Sequence, residues 1–589
     1  MEAAAPLGSL TQGGLRVPRE ALVARNGAPA LRRLLRGLTH TARPLPGAPR
    51  GPKETRQAFR QAREAGVAYL YFPRALAPTL APDLGGVVLA PELAAAWGAI
   101  RPLGPEKARA AQAPFPYQAA AAEHLRGLAR PEGGWLAYLQ MGTGLGKTRV
   151  GLAAAVEAGG PTFVVVPTRA LREQWLSEAR QAYPGLALAA YQNPRTAATE
   201  PAGPATADLV VGVANTVLRK KTGFFSGYAL VVLDEAHELS ARCSQNILWL
   251  AQGAPRVLGL SATPDERPDG LDRLVFRFLG PPTSAEADIP RFSVADVRFH
   301  GRVREVEYVG EGEYVEAVVS RAGTLSATAT VGNLVRDPAR LALVVAEVER
   351  LYFQGETDPA ALGPGPPGRS HGVMVFAEHR DYLLVLRDAI MARFAPPDLA
   401  APELGDGPAA EEDPGDSSGA EQAAAGGAVV LRGGVGAEAL VQARAARVVL
   451  TTYGYSRRGI SLANMTALVL ATPRRRGLTQ ILGRILRRGS DETIRRAVVD
   501  IRDMASPLKS QSSDRRAAYR EKGWPIFRDR ARAADYAGDG RPPPPPRKAP
   551  SGRRHLPARR HLPRPKPPQS RPPSMREPPA TVSAAPETA

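Results

Sequence analysis

The segment Gly142–Thr148 constrains the fold of this chain more than any other feature. It reads Gly-Thr-Gly-Leu-Gly-Lys-Thr, follows the apolar run 135–139 and precedes a helix candidate at 148–157. Glycines at alternate positions let backbone N–H groups curl around a phosphate without a Cβ clash, and the helix N-terminus adds partial positive charge. A strand, a glycine-rich loop and a helix in this order predict a phosphate-binding loop in a parallel α/β sheet.

Short apolar runs alternate with helical stretches along most of the chain, and the pattern occurs twice. Strands are predicted in a first set at 135–139, 162–166, 209–213, 230–233 and 257–260, and in a second set at 372–376, 447–451, 467–471 and 497–501. Continuous apolar strands that alternate with helices, such as the candidate at 169–182, are typical of parallel sheets covered on both faces. We therefore predict an α/β fold with two lobes.

The chain has 589 residues, too many for a single hydrophobic core. The N-terminal region reads as helix with turns, apart from one strand at 67–72 that Pro73 ends, and residues 508–535 read as a charged helix. Composition shifts divide the chain into four predicted regions: an accessory domain at 1–110, a first lobe at 111–290, a second lobe at 291–535 with a disordered acidic insertion at 395–427, and a disordered basic, proline-rich tail at 536–589.

The net charge of +20 indicates a polyanionic partner. Much of this excess lies in the tail, which from Arg541 onward holds 11 Lys or Arg residues and two Glu residues. Such a tail could be a nuclear address, a nonspecific DNA tether or a solvated arm. The single cysteine, Cys243, excludes an internal disulfide, and no apolar run reaches the roughly 18–20 residues of a membrane span. The first ten residues lack a basic segment followed by an apolar one and are not expected to be a secretory signal, so we expect a soluble, intracellular protein that does not enter a membrane.

The chemistry of the glycine-rich loop is that of nucleoside triphosphate binding. Lys147 is expected to reach the β- and γ-phosphates, and the Thr148 hydroxyl to bind Mg²⁺. The strict pattern has glycine or alanine six residues before the lysine, where this chain has Met141. The predicted ATP-binding set comprises Gly142, Thr143, Gly144, Leu145, Gly146, Lys147 and Thr148.

An acidic pair follows the strand 230–233, at the strand end where α/β sheets place ligands. We expect Asp234 to hold Mg²⁺, and Glu235 to act on the attacking water as a base or by orienting it. Two more segments follow in order, Ser261-Ala-Thr263 after a strand and Gln480-Ile-Leu-Gly-Arg-Ile-Leu-Arg487 near the end of the second lobe.

The order and spacing of these four segments resemble superfamily 2 helicases of the DEAH type. The resemblance implies two RecA-like lobes, ATP and Mg²⁺ as cofactors, and a nucleic-acid-stimulated ATPase with DNA as the track and RNA as the alternative. It implies coupling roles for His237, Ser261, Thr263 and Gln480, with His237 linking the ATP site to the second lobe. Gln118 in Phe115-Pro-Tyr-Gln would read the adenine edge, with Tyr117 or Phe115 stacking on it.

The second lobe would supply two arginines to the phosphates. Arg484 and Arg487 are spaced i, i+3 and would share one helix face. A guanidinium neutralises charge that spreads over phosphoryl oxygens, and we expect Arg487 to be the arginine finger and Arg484 its neighbour. Because the arginines and the loop come from different lobes, ATP is expected to close the cleft and its release to open it.

Nucleic-acid contacts in such motors go mainly to phosphates, so hydroxyls and cations carry them. The resemblance assigns this role to Thr168 and Arg169, to Thr216 and to Thr452. One departure is Ser461, which stands where the family has a carboxylate that helps to hold the nucleotide or the finger.

Connecting segments narrow the resemblance to helicases of large DNA viruses, related to the poxvirus transcript-release helicase and to the TFIIH translocase. These segments are 262–272, 334–340, 470–473 and 70–74. Three functions stay open: a DNA helicase, a duplex translocase that releases transcripts without unwinding, and an ATP-gated scaffold without turnover. The transcription or replication machinery is the expected partner, and the accessory domain either touches nucleic acid or packs on the motor.

Overall fold

The computed structural model of the chain describes most residues of the two lobes and of the N-terminal region. The described ranges are 6–43, 54–128, 134–192, 203–241, 244–265, 267, 269–293, 300–319, 325–354, 371–394, 427–432, 437–456, 462, 464–474, 477–486, 494–505 and 508–536. The predicted acidic insertion at 395–427 lies outside these ranges except for its last residue, and the predicted tail at 536–589 lies outside them except for its first.

The N-terminal region forms a five-stranded sheet and a two-stranded hairpin. Its elements are β1 (Gly8–Thr11), β2 (Gly14–Pro18), α1 (Arg19–Asn26), α2 (Ala28–Gly37), β3 (Thr39–Thr41), β4 (Thr55–Gln57), β5 (Arg60–Glu64), β6 (Val67–Phe72), α3 (Ala77–Leu84), β7 (Val87–Leu89) and α4 (Pro91–Gly98). The order in the sheet is β5-β6-β2-β1-β7, and β3 pairs with β4.

The prediction of a single strand in the N-terminal region is therefore wrong, whereas the predicted helical character is present in α1 to α4. Only β6 was predicted, and it is the strand with the strongest run of apolar and aromatic residues. The neighbouring β5 reads Arg-Gln-Ala-Arg-Glu and is almost wholly exposed at the sheet edge, so it has no alternating apolar pattern. The antiparallel register with β6, not residue preference, makes this segment a strand.

The first lobe is built on a seven-stranded sheet in which every pairing is parallel. Its strand order is β10-β11-β9-β12-β13-β8-β14. The elements are α5 (Pro116–Gly127), β8 (Trp135–Gln140), α6 (Lys147–Glu157), β9 (Thr162–Val166), α7 (Arg169–Ala182), β10 (Leu188–Tyr191), β11 (Leu209–Val213), α8 (Ala214–Val217), β12 (Leu230–Asp234), α9 (Gln245–Leu250), β13 (Arg256–Ser261), α10 (Asp272–Leu279), β14 (Thr283–Ser284) and α11 (Ala285–Asp288).

The second lobe repeats this architecture with another seven-stranded parallel sheet, in the order β17-β18-β16-β19-β20-β15-β21. Its elements are β15 (Gly301–Val309), α12 (Ala327–Leu334), α13 (Pro338–Glu349), β16 (Val373–Ala377), α14 (Arg380–Phe394), β17 (Ala428–Leu431), α15 (Ala437–Ala445), β18 (Val448–Thr452), α16 (Tyr453–Ser456), β19 (Ala467–Leu470), α17 (Leu478–Leu482), β20 (Arg496–Asp503), α18 (Ser512–Glu521) and β21 (Ile526–Arg532).

The predicted two-lobed α/β fold is confirmed, and each predicted strand of the two lobes is present with bounds shifted by two residues at most. The helical prediction for 508–535 holds only as far as Glu521, because β21 follows and pairs with β15 at the sheet edge. The sequence of β21 is rich in arginine and mostly exposed, so it lacks the apolar run by which the other strands were found.

The seven-stranded sheet of each lobe separates two apolar cores. In β12, Val231 and Leu233 face one core while Leu230 and Val232 face the other, because side chains alternate along a strand. The first of these cores continues without a break into the N-terminal sheet, where it includes Phe72. Each fully buried side chain of this size contributes about 1.5–3 kcal/mol relative to its exposed state.

Polar contacts reinforce the packing of the N-terminal sheet on the first lobe. The buried Gln252 accepts a hydrogen bond from the backbone N–H of Arg74 at 2.7 Å, and Trp97 Nε1 donates to the carbonyl of Gly253 at 2.9 Å. The guanidinium of Arg60 lies 4.5 Å from the ring centroid of Trp249. Of the two roles considered for this region, packing on the lobe is thus present in the structure.

A buried ion pair ties α13 to β20 in the second lobe. Arg340 Nε lies 2.6 Å from Asp503 Oδ1, and Arg340 Nη2 lies 2.9 Å from Asp503 Oδ2. The same guanidinium donates to the carbonyl of Ala471 at 2.7 Å, and both charged residues are at most 2 % exposed.

Among the described residues, no helix is long and apolar enough to cross a membrane.

Candidate functional site

The glycine-rich loop joins β8 to α6, as predicted. Gly144 and Gly146 have φ values of +84° and +83°, which side chains rarely adopt, so both positions require glycine. A Cβ on Gly146 would also overlap the Gln118 amide. Lys147 Nζ donates to the carbonyl of Met141 at 3.3 Å. Met141, which departs from the strict pattern, is fully buried. Its carbonyl accepts the hydrogen bond of Lys147.

Gln118 braces the loop from its outer side. Its Nε2 donates to the carbonyl of Leu145 at 3.0 Å, and its Oε1 accepts from the N–H of Phe115 at 3.2 Å. The ring of Tyr117 is buried and packs edge-on against Phe292 at 5.4 Å between centroids, whereas the ring of Phe115 is 43 % exposed. Of the two aromatic candidates, Phe115 is therefore the one accessible to a ligand.

Asp234 ends β12 and is almost fully buried. Its Oδ2 accepts from Trp175 Nε1 at 2.8 Å, and its Oδ1 accepts from the N–H of Glu235 at 3.0 Å. Burial and the Glu235 carboxylate raise the pKa of Asp234 to about 6, against the opposing effects of Trp175 and Lys147. Sequence reasoning missed Trp175, whose position in α7 reads as an ordinary apolar core residue.

Glu235 has a left-handed backbone with φ of +49°, which is unusual for a residue with a side chain. Its carboxylate Oε2 lies 3.4 Å from His237 Nδ1. Strained backbone of this kind is concentrated at functional sites, where the surrounding structure holds it in place. The turn that Glu235 opens continues into the 3₁₀ helix Ala236–Ser240, which carries His237.

A continuous line of polar contacts runs from His237 to the second lobe. His237 Nδ1 lies 2.9 Å from Ser261 Oγ, which also accepts from the N–H of Thr263 at 3.1 Å. Gln480 Nε2 of the second lobe donates to Thr263 Oγ1 at 2.8 Å. Ser261, Thr263 and Gln480 are all buried. The structure brings the four predicted coupling residues together, and the contact that crosses between lobes joins Gln480 to Thr263.

The arginine candidates lie just after α17. The helix ends at Leu482, so Arg484 stands in the turn that follows and its N–H donates to the carbonyl of Ile481 at 3.0 Å. The helix that was expected to carry both arginines thus ends before Arg484. That the two arginines share one face stays a prediction. Arg484 is 6 % exposed. Arg487 lies outside the described residues.

The second lobe touches the glycine-rich loop directly at this turn. Gly483 approaches Thr143 so closely that an added Cβ would overlap its side chain. A cleft of 760 Å³ opens beside this contact, between the loop and the segment of the second lobe from Arg520 to Phe527. The lobes therefore meet at the phosphate-binding loop, and the cleft lies at the junction.

The segment that leaves the first lobe also touches the loop. Glu286 in α11 accepts a hydrogen bond from the N–H of Gly142 at 2.8 Å through its Oε1. The preceding strand β14 pairs with β8, which leads into the loop. Sequence reasoning missed Glu286, since nothing in a short polar stretch after a strand marks a contact with residues 144 positions earlier.

The nucleic-acid candidates all lie at or just after the carboxyl ends of parallel strands. Thr168 caps α7 by accepting from the N–H of Leu171 at 3.2 Å, and Arg169 beside it is exposed. Thr216 donates to the carbonyl of Val213 at 2.6 Å, and Thr452 accepts from a backbone N–H at 3.1 Å. Ser461 lies outside the described residues.

Comparison with protein families matches residues 115–271 to the DEAD/DEAH box helicase family. This range begins at Phe115 and includes the glycine-rich loop, the Asp234–His237 segment and Ser261–Thr263. It therefore covers the nucleotide side of the site and none of the second lobe.

Curated relatives cover more of the chain. A protein of African swine fever virus (strain Badajoz 1971 Vero-adapted), named "Putative ATP-dependent RNA helicase QP509L", is 37 % identical over 503 residues, which are 84 % of this chain and 88 % of the relative. The protein of the same name from isolate Warthog/Namibia/Wart80/1980 is also 37 % identical, over 84 % of this chain and 87 % of its own length.

Among solved structures, Saccharomyces cerevisiae Dbp5 bound to RNA and ADP BeF3 aligns at 14 % identity over 76 % of this chain and 95 % of that chain, with a TM-score of 0.44. The crystal structure of T4 UvsW aligns at 14 % identity over 86 % of this chain and 96 % of that chain, with a TM-score of 0.32.

Proposed function

Since this chain belongs to the superfamily 2 helicases, with relatives in a large DNA virus, and is a nucleic-acid-dependent ATPase, we propose that it converts ATP hydrolysis into movement along DNA. The observation that supports this most is the hydrogen bond from Gln480 to Thr263. It joins the two lobes and continues through Ser261 to His237, beside Glu235. A change at the nucleotide can thereby reach the relative position of the lobes.

The proposed binding step uses the amides of residues 142–148 and the α6 N-terminus for the phosphates of ATP. Lys147 exchanges its present acceptor, the carbonyl of Met141, for a phosphate oxygen. Phe115 stacks on the base, and the Gln118 side chain turns toward the base edge from its contact with Leu145.

The residues at the end of β12 fit a divalent cation. Burial raises the pKa of Asp234 and the adjacent Glu235 repels its charge, and a cation beside this carboxylate would relieve both costs. We propose Thr148 and Asp234 as the residues that hold Mg²⁺, which would neutralise charge on the phosphates. Trp175 keeps the Asp234 carboxylate oriented through its hydrogen bond.

The proposed hydrolytic step depends on Glu235, which orients or deprotonates the attacking water and whose carboxylate lies 3.4 Å from His237. Arg484 and Arg487 of the second lobe stabilise the charge of the transferred phosphoryl group. Because these groups belong to different lobes, hydrolysis requires the lobes to be closed. Thr168, Arg169, Thr216 and Thr452 would hold the phosphates of the track.

We propose DNA as the track, within viral transcription or replication, and RNA is the alternative because the viral relatives are named RNA helicases. For the chain organisation we propose the accessory domain 1–110, the lobes 111–290 and 291–535, and the tail 536–589. A non-unwinding translocase that releases transcripts differs from a helicase only in its action on duplex.

The test is steady-state ATP hydrolysis by the wild type, Glu235→Gln and the matched control Glu238→Gln, three residues further along the same turn. Each is assayed without nucleic acid and with single-stranded DNA, duplex DNA and RNA. We expect stimulation by DNA that Glu235→Gln abolishes and Glu238→Gln retains. Preference for duplex supports the translocase, and preference for single strands supports the helicase. Stimulation by RNA alone would refute the DNA track, and nucleotide binding without turnover would leave a scaffold.

A further inference from the structure

A stretch of the N-terminal region carries positive charge without any carboxylate. From Ala21 to Lys53 the sequence has seven Arg or Lys residues and no Asp or Glu. Within it, α2 turns its leucines toward the core shared with the first lobe and leaves three arginines outside. These exposed residues are Arg32, Arg33 and Arg36.

The first lobe adds two arginines at the same place. Arg273 and Arg277 lie one helical turn apart in α10, and Arg277 Nη2 donates to the carbonyl of Gly37, at the end of α2, at 3.4 Å. Beyond β3, the N–H of Arg43 donates to the carbonyl of Asp269 at 2.8 Å, just before α10. We call the surface formed by Arg32, Arg33, Arg36, Arg43, Arg273 and Arg277 the basic face.

Positive charge on the basic face is not compensated within the part of the chain that the structure describes, where none of its six arginines forms an ion pair. Other arginines of the N-terminal region and the first lobe are paired, for example Arg16 with Glu64 at 3.3 Å and Arg267 with Asp269 at 2.5 Å. The pKa of His40, which lies between α2 and α10 in β3, is lowered by burial and by Arg277 and Arg273. The positive charges of α10 in the first lobe thus reach the N-terminal region at His40.

Like charges held together on a folded surface repel one another, and a polyanion that binds there removes this cost. The phosphate backbone of a nucleic acid fits this surface, because one guanidinium can donate two hydrogen bonds to the oxygens of one phosphate. Such contacts do not depend on the base sequence. Five of the six arginines lie on the helices α2 and α10 of two packed regions, so the spacing of their backbone positions is fixed before any partner arrives. An acidic protein would need carboxylates arranged to match that fixed spacing.

We propose that the basic face is a second nucleic-acid contact, separate from the path over the two lobes, which holds the phosphate backbone whether or not nucleotide is bound. The proposal rests on the proposed function only in that the chain acts on nucleic acid. The basic face belongs to the N-terminal region and the first lobe alone. The basic face therefore stays bound to nucleic acid while the second lobe opens and closes, so that one contact persists through the ATPase cycle.

The test uses the full chain with Arg32→Ala, Arg33→Ala and Arg36→Ala combined, and a second variant with Arg273→Ala and Arg277→Ala. Alanine is the strongest helix former, so both helices should persist. The matched control removes Arg528, Arg530 and Arg532 in the same way from the edge strand β21. Fluorescence anisotropy with labelled single-stranded and duplex DNA, and with labelled polyglutamate, is measured without nucleotide between about 50 and 200 mM salt.

We expect the triple variant to bind DNA at least about tenfold more weakly near 0.1 M salt, since each lost phosphate contact lowers the salt slope by about 0.7–0.9. The slope of log affinity against log salt should fall by about 2–3, and by about 1.5–2 in the double variant. The control should stay within about twofold of the wild type. ATP hydrolysis without nucleic acid should be unchanged in all variants.

An affinity and slope equal to those of the control would overturn the proposal. So would a loss of polyglutamate binding with DNA binding intact, which would identify an acidic protein partner instead. Failure of the proposed function has a different signature: no nucleic acid would stimulate ATP hydrolysis by the wild type, whatever the anisotropy shows.

Discussion

The hydrogen bond between Gln480 and Thr263 gives the sharpest test of how the lobes communicate. Gln480→Leu removes the donor and leaves Thr263 Oγ1 buried, since both residues are only 4 % exposed. A buried polar atom that loses its partner costs about 1–3 kcal/mol. If this contact forms only when the lobes are close, the closed population falls by the same free energy. The kcat/KM for ATP hydrolysis should then drop by about 5- to 150-fold.

A double-mutant cycle separates this contact from general damage. Thr263→Val replaces the hydroxyl by a methyl group and should lower kcat/KM to a similar extent as Gln480→Leu. The combined variant places two apolar side chains opposite each other, so neither polar group is left unpaired. The kcat/KM of the double variant should therefore be higher than the value obtained by multiplying the two single reductions. The difference corresponds to a coupling energy of about 1–2 kcal/mol.

The assay is DNA-stimulated ATP hydrolysis at low substrate, beside chemical denaturation of each variant. Gln252→Leu is the control, because Gln252 is also a buried glutamine with two hydrogen bonds, far from the junction of the lobes. It should lower the free energy of unfolding by about 1–3 kcal/mol and leave kcat/KM within about twofold. Additive effects of the two single changes, or an unaltered kcat/KM in Gln480→Leu, would refute the reasoning.

Three other changes probe the fold and the nucleotide site. Arg340→Met should lower the free energy of unfolding by about 3–5 kcal/mol in denaturant, because it leaves Asp503 buried and uncompensated; an unshifted midpoint would count against this. Gly146→Ala should weaken ATP binding more than about tenfold in calorimetry and lower the free energy of unfolding by about 1–3 kcal/mol, because alanine disfavours a φ of +83°; normal affinity would contradict it. Trp175→Phe removes a donor to Asp234, whose pKa of about 6 should rise, and because activity needs the carboxylate ionised, the acid limb of kcat/KM should move about one to two pH units upward; superimposable profiles would exclude this role.

Sequence reasoning succeeded where burial on both faces leaves an apolar run. The strand at 209–213 was predicted with its observed bounds, because all five of its residues are buried. The phosphate-binding loop at 142–148 could also be predicted from the sequence, since its positive φ angles favour glycine. Both signals are local, and each can be read from a short stretch of sequence.

The remaining features depend on contacts between distant segments. Trp175 looks like any apolar residue of an amphipathic helix, and only the crossing of α7 over the sheet brings its N–H to Asp234. The charged edge strand Arg60–Glu64 forms because β6 offers unpaired backbone groups. The end of α17 before Arg484 reflects tertiary bonding as well, since Arg496 Nε donates to the carbonyl of Ile485 at 2.6 Å.

The segment between the lobes has a mechanical consequence through its anchorage on the nucleotide loop. Two residue pairs of β14 hold it to β8, Glu286 holds the N–H of Gly142, and Phe292 packs on Tyr117. An external load that pulls the second lobe away would act on this tether as well as on the contacts that Gln480 and Gly483 make with the first lobe. Tension on the track would thus deform the loop that grips the phosphates, and the turnover rate of a loaded molecule would depend on force as well as on ATP concentration.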